Sequence, residues 1–147
     1  MRAVVQRVRR TALSVDGALV SEIPFGLAVY LGVKVGDTES DSDYIAKKVS
    51  LLRVFSDEQG KMNLSVKDAG GEIMLISQFT LYGDCTHGNR PSFITAERPE
   101  RADALYERTA EAIRGYGIHV KTGVFGADMK IEQFNDGPVT IIIDSRP

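Results

Sequence analysis

The sequence contains few of the residues that carry disulfide, metal or nucleophilic chemistry in proteins. Its single cysteine, Cys85, permits no disulfide within the chain, which is consistent with a reducing compartment. The two histidines, His87 and His119, lie in different segments, and neither belongs to a cluster with metal-ligand spacing. The sequence has no glycine-rich phosphate loop and no nucleophile elbow. We therefore expect neither a metal ion nor a cofactor.

Long apolar runs and a strong excess of one charge are also missing. No run approaches the roughly 20 residues that cross a membrane, and charge interrupts the apolar N-terminus too early for a signal peptide. The net charge of −2 argues against a general nucleic-acid binder, but not against an enzyme that grips only one end of a nucleic acid. With 43% hydrophobic and 26% charged residues, the composition is that of a globular protein. We expect a cytoplasmic protein with a single domain over residues 1–147.

Hydrophobic periodicity and turn residues predict a strand-rich α/β domain with two principal helices. Residues 2–8 alternate between charged and apolar types, residues 9–15 continue the strand, and the turn Asp16-Gly17 predicts a hairpin with residues 18–23. The apolar runs at 27–33 and 72–79 are typical of buried strands. Further extended segments are predicted at 53–55, 62–66, 118–124, 129–134 and 139–143. A polar, irregular surface loop is expected at 83–92.

The first helix is predicted over residues 39–52, after the cap-like start Asp37-Thr38-Glu39-Ser40. Its apolar stripe consists of Tyr44, Ile45, Val49 and Leu52. The second helix is predicted to begin at Pro99 and to end at Gly115 and Gly117. Its buried stripe consists of Ala102, Leu105, Tyr106, Thr109, Ala112, Ile113 and Tyr116.

The stretch Asn135-Asp136-Gly137-Pro138-Val139-Thr140 precedes the apolar run Ile141-Ile142-Ile143. Pro138 donates no hydrogen bond to a sheet, and Gly137 adds no side chain to a core. One interpretation is an ordinary turn before the last strand. The other is a bare, rigid backbone that a ligand approaches closely. The stretch alone does not decide between them.

A second polar stretch, Ser77-Gln78-Phe79-Thr80-Leu81, stands at the end of a predicted buried strand. It is either an ordinary strand end or a site whose backbone N–H groups stabilise an oxyanion. Thr80 carries a hydroxyl nucleophile, but no base to activate it is visible. Cys85 and His87 form a further nucleophile–base hypothesis, although closeness in sequence does not establish geometry.

Four arginines fall within the first ten residues: Arg2, Arg7, Arg9 and Arg10. They indicate either solvated faces of a strand or a local patch that attracts phosphate.

The two polar stretches resemble the two signature motifs of the D-aminoacyl-tRNA deacylases. The resemblance covers essentially the whole chain, through Gln6-Arg7-Val8, residues 55–64, Arg90-Pro91-Ser92-Phe93 and residues 122–129. Phe79 favours this family over its relative that edits L-alanine. The resemblance implies a single domain with a barrel-like sheet, and a homodimer.

The resemblance also implies an activity: hydrolysis of the ester that joins a D-amino acid, or glycine, to the 3′-terminal adenosine of tRNA. It implies a cis bond between Gly137 and Pro138, whose carbonyls reach into the partner's active site and leave no room for an L side chain. Arg7 would help to fix that backbone. Catalysis would lie with Ser77, Gln78, Phe79 and Thr80, of which Phe79 and Thr80 supply backbone contacts at the ester. The adenosine pocket would be lined by Phe125, Gly126, Ala127 and Met129.

This chemistry is reasonable from first principles because an aminoacyl ester is already activated. A placed water and an oxyanion site suffice, and the ribose 2′-hydroxyl can take part. Rejection of L-aminoacyl substrates by backbone groups suits an enzyme that accepts many D side chains. We expect the tRNA acceptor end to bind through a local basic patch with a modest salt dependence. Three alternatives remain: covalent catalysis by Thr80, a non-catalytic binder of the tRNA end, and a general hydrolase of small esters.

Overall fold

A computed structural model describes residues 1–146, which form eight strands and two helices. The strands are β1 (Arg2–Val15), β2 (Ala18–Ile23), β3 (Gly26–Gly32), β4 (Phe55–Ser56), β5 (Met62–Leu64), β6 (Glu72–Ser77), β7 (Val120–Thr122) and β8 (Met129–Asp144). The helices are α1 (Glu39–Ser50) and α2 (Pro99–Arg114), and a 3₁₀ turn spans Phe79–Tyr82. No helix within residues 1–146 is long and apolar enough to cross a membrane.

Six strands form one curled sheet in the order β2-β1-β3-β6-β7, with β8 on the other side of β1. The first half of β1 pairs with β3, its second half pairs with β2, and β8 runs antiparallel along most of its length. At the two far edges, the Ser21 hydroxyl of β2 donates to the Thr122 carbonyl of β7 at 2.8 Å. The Lys121 ammonium donates to the Glu22 carbonyl at 2.6 Å. These bonds draw the edges together, so the sheet is a nearly closed barrel.

Apolar side chains pack on both faces of this sheet. A smaller cluster fills the barrel interior, with Leu13, Ala28, Met74 and Ile76 among its members. The larger cluster lies outside, between the sheet and both helices. The helices contact each other through a 2.8 Å hydrogen bond between the buried hydroxyls of Ser42 and Thr109. The strand-rich α/β fold with two principal helices is therefore confirmed.

Several local predictions are confirmed as well. Asp16 and Gly17 have φ angles of 50° and 79°, as a two-residue hairpin turn requires. Thr38 and Asp41 form a capping box at the start of α1. The Thr38 backbone N–H donates to Asp41 Oδ2 at 2.8 Å.

The predicted element ends needed correction. The helix α1 ends at Ser50, and Tyr44 is exposed whereas Asp41 and Ser42 are buried. The helix α2 ends at Arg114, so Tyr116 lies beyond it and is exposed; its place in the buried stripe is wrong. The run 72–79 is also too long, because β6 ends at Ser77 and Phe79 begins the 3₁₀ turn.

The largest difference concerns the last two predicted strands, which form one continuous strand. β8 runs from Met129 to Asp144 and contains the Gly-Pro stretch. Its register against β1 shifts between Gln6 and Val8 and again between Val8 and Arg10. Residues 136–139 therefore bulge out opposite Arg7 without ladder partners, which explains how a strand accommodates Pro138.

Candidate active site

The parallel strands β3, β6 and β7 end beside one another, and a cavity of about 590 Å³ opens near their carboxyl ends. Ligand sites in α/β proteins with parallel strands commonly lie at the carboxyl ends of those strands. The lining residues come from the ends of β3 and β6, the start of α2 and the segment leading into β8. The volume is in the range of pockets that hold small molecules or cofactors.

One wall of the cavity is the end of β6 and the turn that follows. Ser77, Gln78 and Phe79 line it. The Gln78 backbone N–H donates to the Leu31 carbonyl at 2.9 Å, which fixes this segment to β3. The Gln78 side-chain amide donates to the hydroxyl of Thr80. The wall is thus held by hydrogen bonds on both its backbone and its side chains.

The backbone N–H groups of Phe79 and Thr80 begin the 3₁₀ turn and so precede its first internal hydrogen bond. Within residues 1–146, neither N–H has a hydrogen-bond acceptor. Two neighbouring free N–H groups beside a cavity can stabilise negative charge on a substrate oxygen. The arrangement is chemically suited to the attack of a nucleophile on a carbonyl group.

The opposite wall is the segment that enters β8. Its lining residues are Phe125, Gly126, Ala127, Asp128 and Met129. Gly126 has a φ of 76°, and the Ala127 N–H donates to the Val124 carbonyl at 3.2 Å, so the chain turns sharply here. The ring of Phe125 lies 6.0 Å from that of Tyr106.

Tyr106 also lines the cavity, and a hydrogen bond fixes its position. Its hydroxyl donates to the Leu75 carbonyl at 2.8 Å, and burial raises the pKa of Tyr106 well above its usual range. The phenol therefore remains a neutral donor near neutral pH. Its ring contributes apolar surface to the cavity.

The mouth of the cavity carries two exposed aromatic rings. Phe79 is 57% exposed and Phe93 is 36% exposed. Their ring centroids are 5.0 Å apart in an edge-to-face arrangement. Large apolar rings left open to solvent at the entrance of a cavity indicate a surface that a ligand covers.

Gly137 and Pro138 do not line this cavity within their own chain. They are exposed at the tip of the bulge in β8, and the peptide bond between them is cis, as the sequence resemblance implied. Gly137 has a φ of 142°, a conformation that residues with a side chain rarely adopt.

Arg7 supports the base of this bulge. Its Nε donates to the Asp136 carbonyl at 3.0 Å, and its Nη1 donates to the Val54 carbonyl at 2.6 Å. Arg7 is nearly buried, whereas Arg9 is exposed and reaches only the Asp136 carboxylate, at 3.3 Å. The planar guanidinium of Arg7 thus links the backbone before Gly137 to the segment before β4.

The structure therefore brings together seven of the predicted site residues around one cavity: Ser77, Gln78, Phe79, Phe125, Gly126, Ala127 and Met129. Thr80 is adjacent through its bond to Gln78, while Arg7, Gly137 and Pro138 lie elsewhere in the chain's own fold. The sequence did not identify several further lining residues, which are Leu31, Val33, Phe93, Ala96, Glu97, Pro99, Ala102, Tyr106, Asp128 and Ile131. No local pattern in the sequence marks these residues, because the parallel order of β3 and β6 that brings them together is a tertiary feature.

Two other hypotheses from the sequence find no support. Cys85 and His87 are both exposed in the loop after the 3₁₀ turn, and no hydrogen bond joins their side chains within the described chain. The four N-terminal arginines each face a carboxylate rather than forming a free phosphate patch: Arg2 pairs with Asp144, Arg7 and Arg9 with Asp136, and Arg10 with Glu22. Within residues 1–146, no three histidine, cysteine or acidic side chains gather as metal ligands would.

Solved structures place this fold in a class. A structure named c-Myc DNA Unwinding Element Binding Protein matches with a TM-score of 0.92 and 41% sequence identity, over 100% of both chains. A structure of a probable eukaryotic D-amino acid tRNA deacylase matches with a TM-score of 0.81 and 17% identity, over 97% of this chain and 98% of that one. Both structures share the fold of this chain.

The sequence comparisons identify the family. The family model described as D-Tyr-tRNA(Tyr) deacylase matches residues 4–144. Three curated D-aminoacyl-tRNA deacylases are similar to this chain over nearly its whole length. They come from Desulfitobacterium hafniense (strain DSM 10664 / DCB-2), Fervidobacterium nodosum and Bacillus cereus (strain G9842), and are 54%, 53% and 51% identical to this chain. Each match covers 99% of this chain and 97%, 98% and 100% of the relative, respectively. The chain belongs to the D-aminoacyl-tRNA deacylase family, and its reaction is the hydrolysis of the ester of D-aminoacyl-tRNA.

Proposed function

We propose that this deacylase distinguishes D from L substrates with backbone groups, by placing Gly137 and Pro138 of one subunit in the cavity of its partner. The observation that carries the proposal is the bond from Arg7 to the Asp136 carbonyl. A nearly buried arginine holds a bulge whose tip is exposed and does not line the chain's own cavity. A rigid, outward-facing backbone segment is suited to a site on another subunit.

A backbone selector fits the task of the enzyme. Carbonyls at Gly137 and Pro138 would hold the substrate amino group, and the missing Cβ of Gly137 would leave space for the substrate α-carbon. An L side chain would then point into the backbone, whereas a D side chain would point away from it. Glycine has no side chain to reject, so we include glycyl-tRNA among the substrates. Such a device accepts many D side chains without a pocket for any of them.

The exposed apolar side chains of β8 support a homodimer. Phe134 is 66% exposed and Ile142 is 64% exposed, and they flank the bulge on its two sides along the strand. Large apolar side chains beside a functional segment favour burial in an interface. A two-fold axis near this strand would cover both residues and would bring each bulge to the partner.

We assign the chemistry to a placed water. The water oxygen would bond to the ester carbon, and the carbonyl oxygen would gain negative charge beside the N–H groups of Phe79 and Thr80. As the carbonyl re-forms, the ester bond would break and the ribose 3′-oxygen would leave with the proton of the neighbouring 2′-hydroxyl. That hydroxyl would in turn take up the proton that the attacking water loses. Ser77 and Gln78 would hold this wall in position.

The adenosine would occupy the opposite wall, formed by Phe125, Gly126, Ala127 and Met129. Covalent catalysis by Thr80 is less favoured, because its hydroxyl accepts a hydrogen bond from the Gln78 amide, and an amide is not a base. We further infer that residues 1–147 act as one deacylase domain in the cytoplasm, where aminoacyl-tRNA is formed and used.

The test compares matched D- and L-tyrosyl-tRNA, with glycyl-tRNA as a third substrate. We expect rapid loss of the D-tyrosyl and glycyl esters and no loss of the L-tyrosyl ester. The variant Arg7→Lys cannot reproduce the two-carbonyl contact, and a small misplacement of the bulge should lower the rate at least about tenfold. The matched control is Arg9→Lys, because Arg9 is exposed and contacts the same Asp136. Its deacylation rate should stay within about twofold of the parent rate.

Each alternative has its own outcome. Equal losses in Arg7→Lys and Arg9→Lys would contradict the role of the bulge. A Thr80→Ala variant that binds substrate normally but never turns it over would favour covalent catalysis. Binding of D-tyrosyl-tRNA without hydrolysis would indicate a non-catalytic binder, and turnover of a free D-amino-acid ester would indicate a general esterase.

A further inference from the structure

We propose that Arg90 and Arg98 bind phosphates of the single-stranded 3′ end of the tRNA where it enters the cavity. This inference extends the proposed function, since it rests on the use of the cavity by the terminal adenosine. The phosphodiester groups just before that adenosine would lie at the mouth of the cavity. The mouth therefore needs positive charge that is free to bind them.

The charges around the mouth support this assignment. Three arginines lie on the segments that form it: Arg90, Arg98 and Arg101. Arg101 is already engaged, by Glu97 at 3.5 Å and by the Asp37 carbonyl at 2.8 Å. In the part of the chain that the structure describes, neither Arg90 nor Arg98 takes part in an ion pair, and neither guanidinium donates a hydrogen bond. Both residues are exposed.

The chain connectivity places both residues on segments that lead into the cavity lining. Arg98 stands between Glu97 and Pro99, which both line it. Arg90 lies in the loop that two hydrogen bonds between Asp84 and Ser92 close, at 2.8 and 2.9 Å. That loop leads directly into Phe93, another lining residue. Two free cations thus lie on two different segments of the same mouth.

The exposed rings of Phe79 and Phe93 lie at this same mouth. Exposed aromatic rings beside cations are the combination with which proteins bind single-stranded nucleic acid, because bases stack on rings while cations follow the backbone. The four arginines near the N-terminus already pair with carboxylates, although Arg7 and Arg9 share Asp136, and none of the four lines the cavity. In a protein of net charge −2, a polyanion requires such a local site.

The experiment uses Arg90→Gln, Arg98→Gln and the double variant. Two substrates are compared: D-tyrosyl-tRNA, and D-tyrosine esterified to adenosine, which has no phosphate. We expect kcat/KM for the tRNA to fall about five- to tenfold per variant, with no change for the adenosine ester. The slope of log kcat/KM against log salt should flatten by about 0.7 for each lost phosphate contact. Lys61→Gln, which removes a cation in the β4–β5 hairpin, should behave as the parent.

Two results would overturn the proposal. The first is an unchanged salt slope in the double variant. The second is an equal loss on both substrates, which would indicate a structural role for the arginines. Binding of uncharged tRNA gives a readout that needs no catalysis, and we expect it to weaken in the double variant but not in Lys61→Gln. If the parent hydrolysed neither ester, the proposed function would fail, while this binding measurement would still decide the role of the arginines.

Discussion

The absence of a side chain at Gly137 is required by the chain's own backbone, in addition to any ligand. A Cβ added there would lie 2.5 Å from the Val139 backbone nitrogen and 2.9 Å from Val139 Cγ2. Backbone nitrogen cannot move aside as the end of a flexible side chain can. In the proposed function, a methyl group at Gly137 would obstruct the substrate. The structure adds an internal clash, so alanine there should lower both the activity and the stability.

We predict that Gly137→Ala lowers the free energy of unfolding by about 1–3 kcal/mol and removes most of the activity on D-tyrosyl-tRNA. Gly88→Ala is the matched control, because Gly88 has a φ of 150° and no described atom lies within 4 Å of its added Cβ. Urea unfolding of both variants separates the clash from the unfavourable φ that they share. Equal destabilisation of the two variants would contradict the prediction.

At the scale of elements, the sequence predicted what local chemistry controls. The Asp16-Gly17 turn, the capped start of α1 and the buried strands β3 and β6 each have a residue pattern that demands them. The continuous course of β8 could not be predicted, because Pro138 normally excludes a strand. It is tolerated here since Arg7, far away in sequence, supports a bulge that requires no ladder bond from the proline.

The residues of the candidate site also fall into those that the sequence could locate and those that it could not. The stretches around Phe79 and Gly137 could be located from their residue types and their resemblance to a family. Phe93 and Glu97 could not, because their place at the cavity depends on how Lys34 pairs with Ala96 and on the parallel order of β3 and β6. Tertiary contacts of this kind leave no periodicity in the sequence.

The start of α1 contains a buried carboxylate with several donors. Asp41 accepts hydrogen bonds from Thr38 at 2.8 and 2.9 Å, from the Ser145 hydroxyl at 2.8 Å and from Arg146 Nε at 2.9 Å. The Arg146 guanidinium, followed by the Thr38 and Ser145 donors, holds the pKa of Asp41 well below its usual range, although burial opposes this. A carboxyl group whose pKa is lower in the folded state stabilises the fold above the unfolded pKa, and loses this effect as the pH falls towards the folded value.

We predict that Asp41→Asn lowers the free energy of unfolding by about 1–3 kcal/mol at pH 7. The difference from the parent should shrink as the pH falls below about 4, where the unfolded carboxyl is protonated. Denaturant unfolding at pH 7, 5 and 3 measures this. Asp128→Asn, which removes an exposed ion pair with Lys130 at 2.8 Å, should cost little at any pH. A pH-independent loss in Asp41→Asn would show that charge is not the cause.

At the scale of the whole molecule, the proposed function requires that two chains assemble. We predict that the parent sediments at about twice the chain mass of 16.1 kDa. Phe134→Ser combined with Ile142→Ser should shift it to the monomer and abolish deacylation while far-UV circular dichroism stays unchanged. Leu19→Ser, on the exposed face of β2, is the control and should remain dimeric. A parent that is monomeric and fully active would contradict the shared site.

The pairing of β1 with β8 also governs how the chain is made. Arg2 and Asp144 stand opposite each other across 142 positions of sequence, and the pairing continues to Val15 and Met129. Closing so large a loop is costly in entropy, so folding should be slow. During synthesis at roughly 5–20 residues per second, one edge of β1 waits unpaired until residues 129–144 have emerged from the ribosome. The sheet of this translation enzyme is therefore complete only when its own translation is almost over.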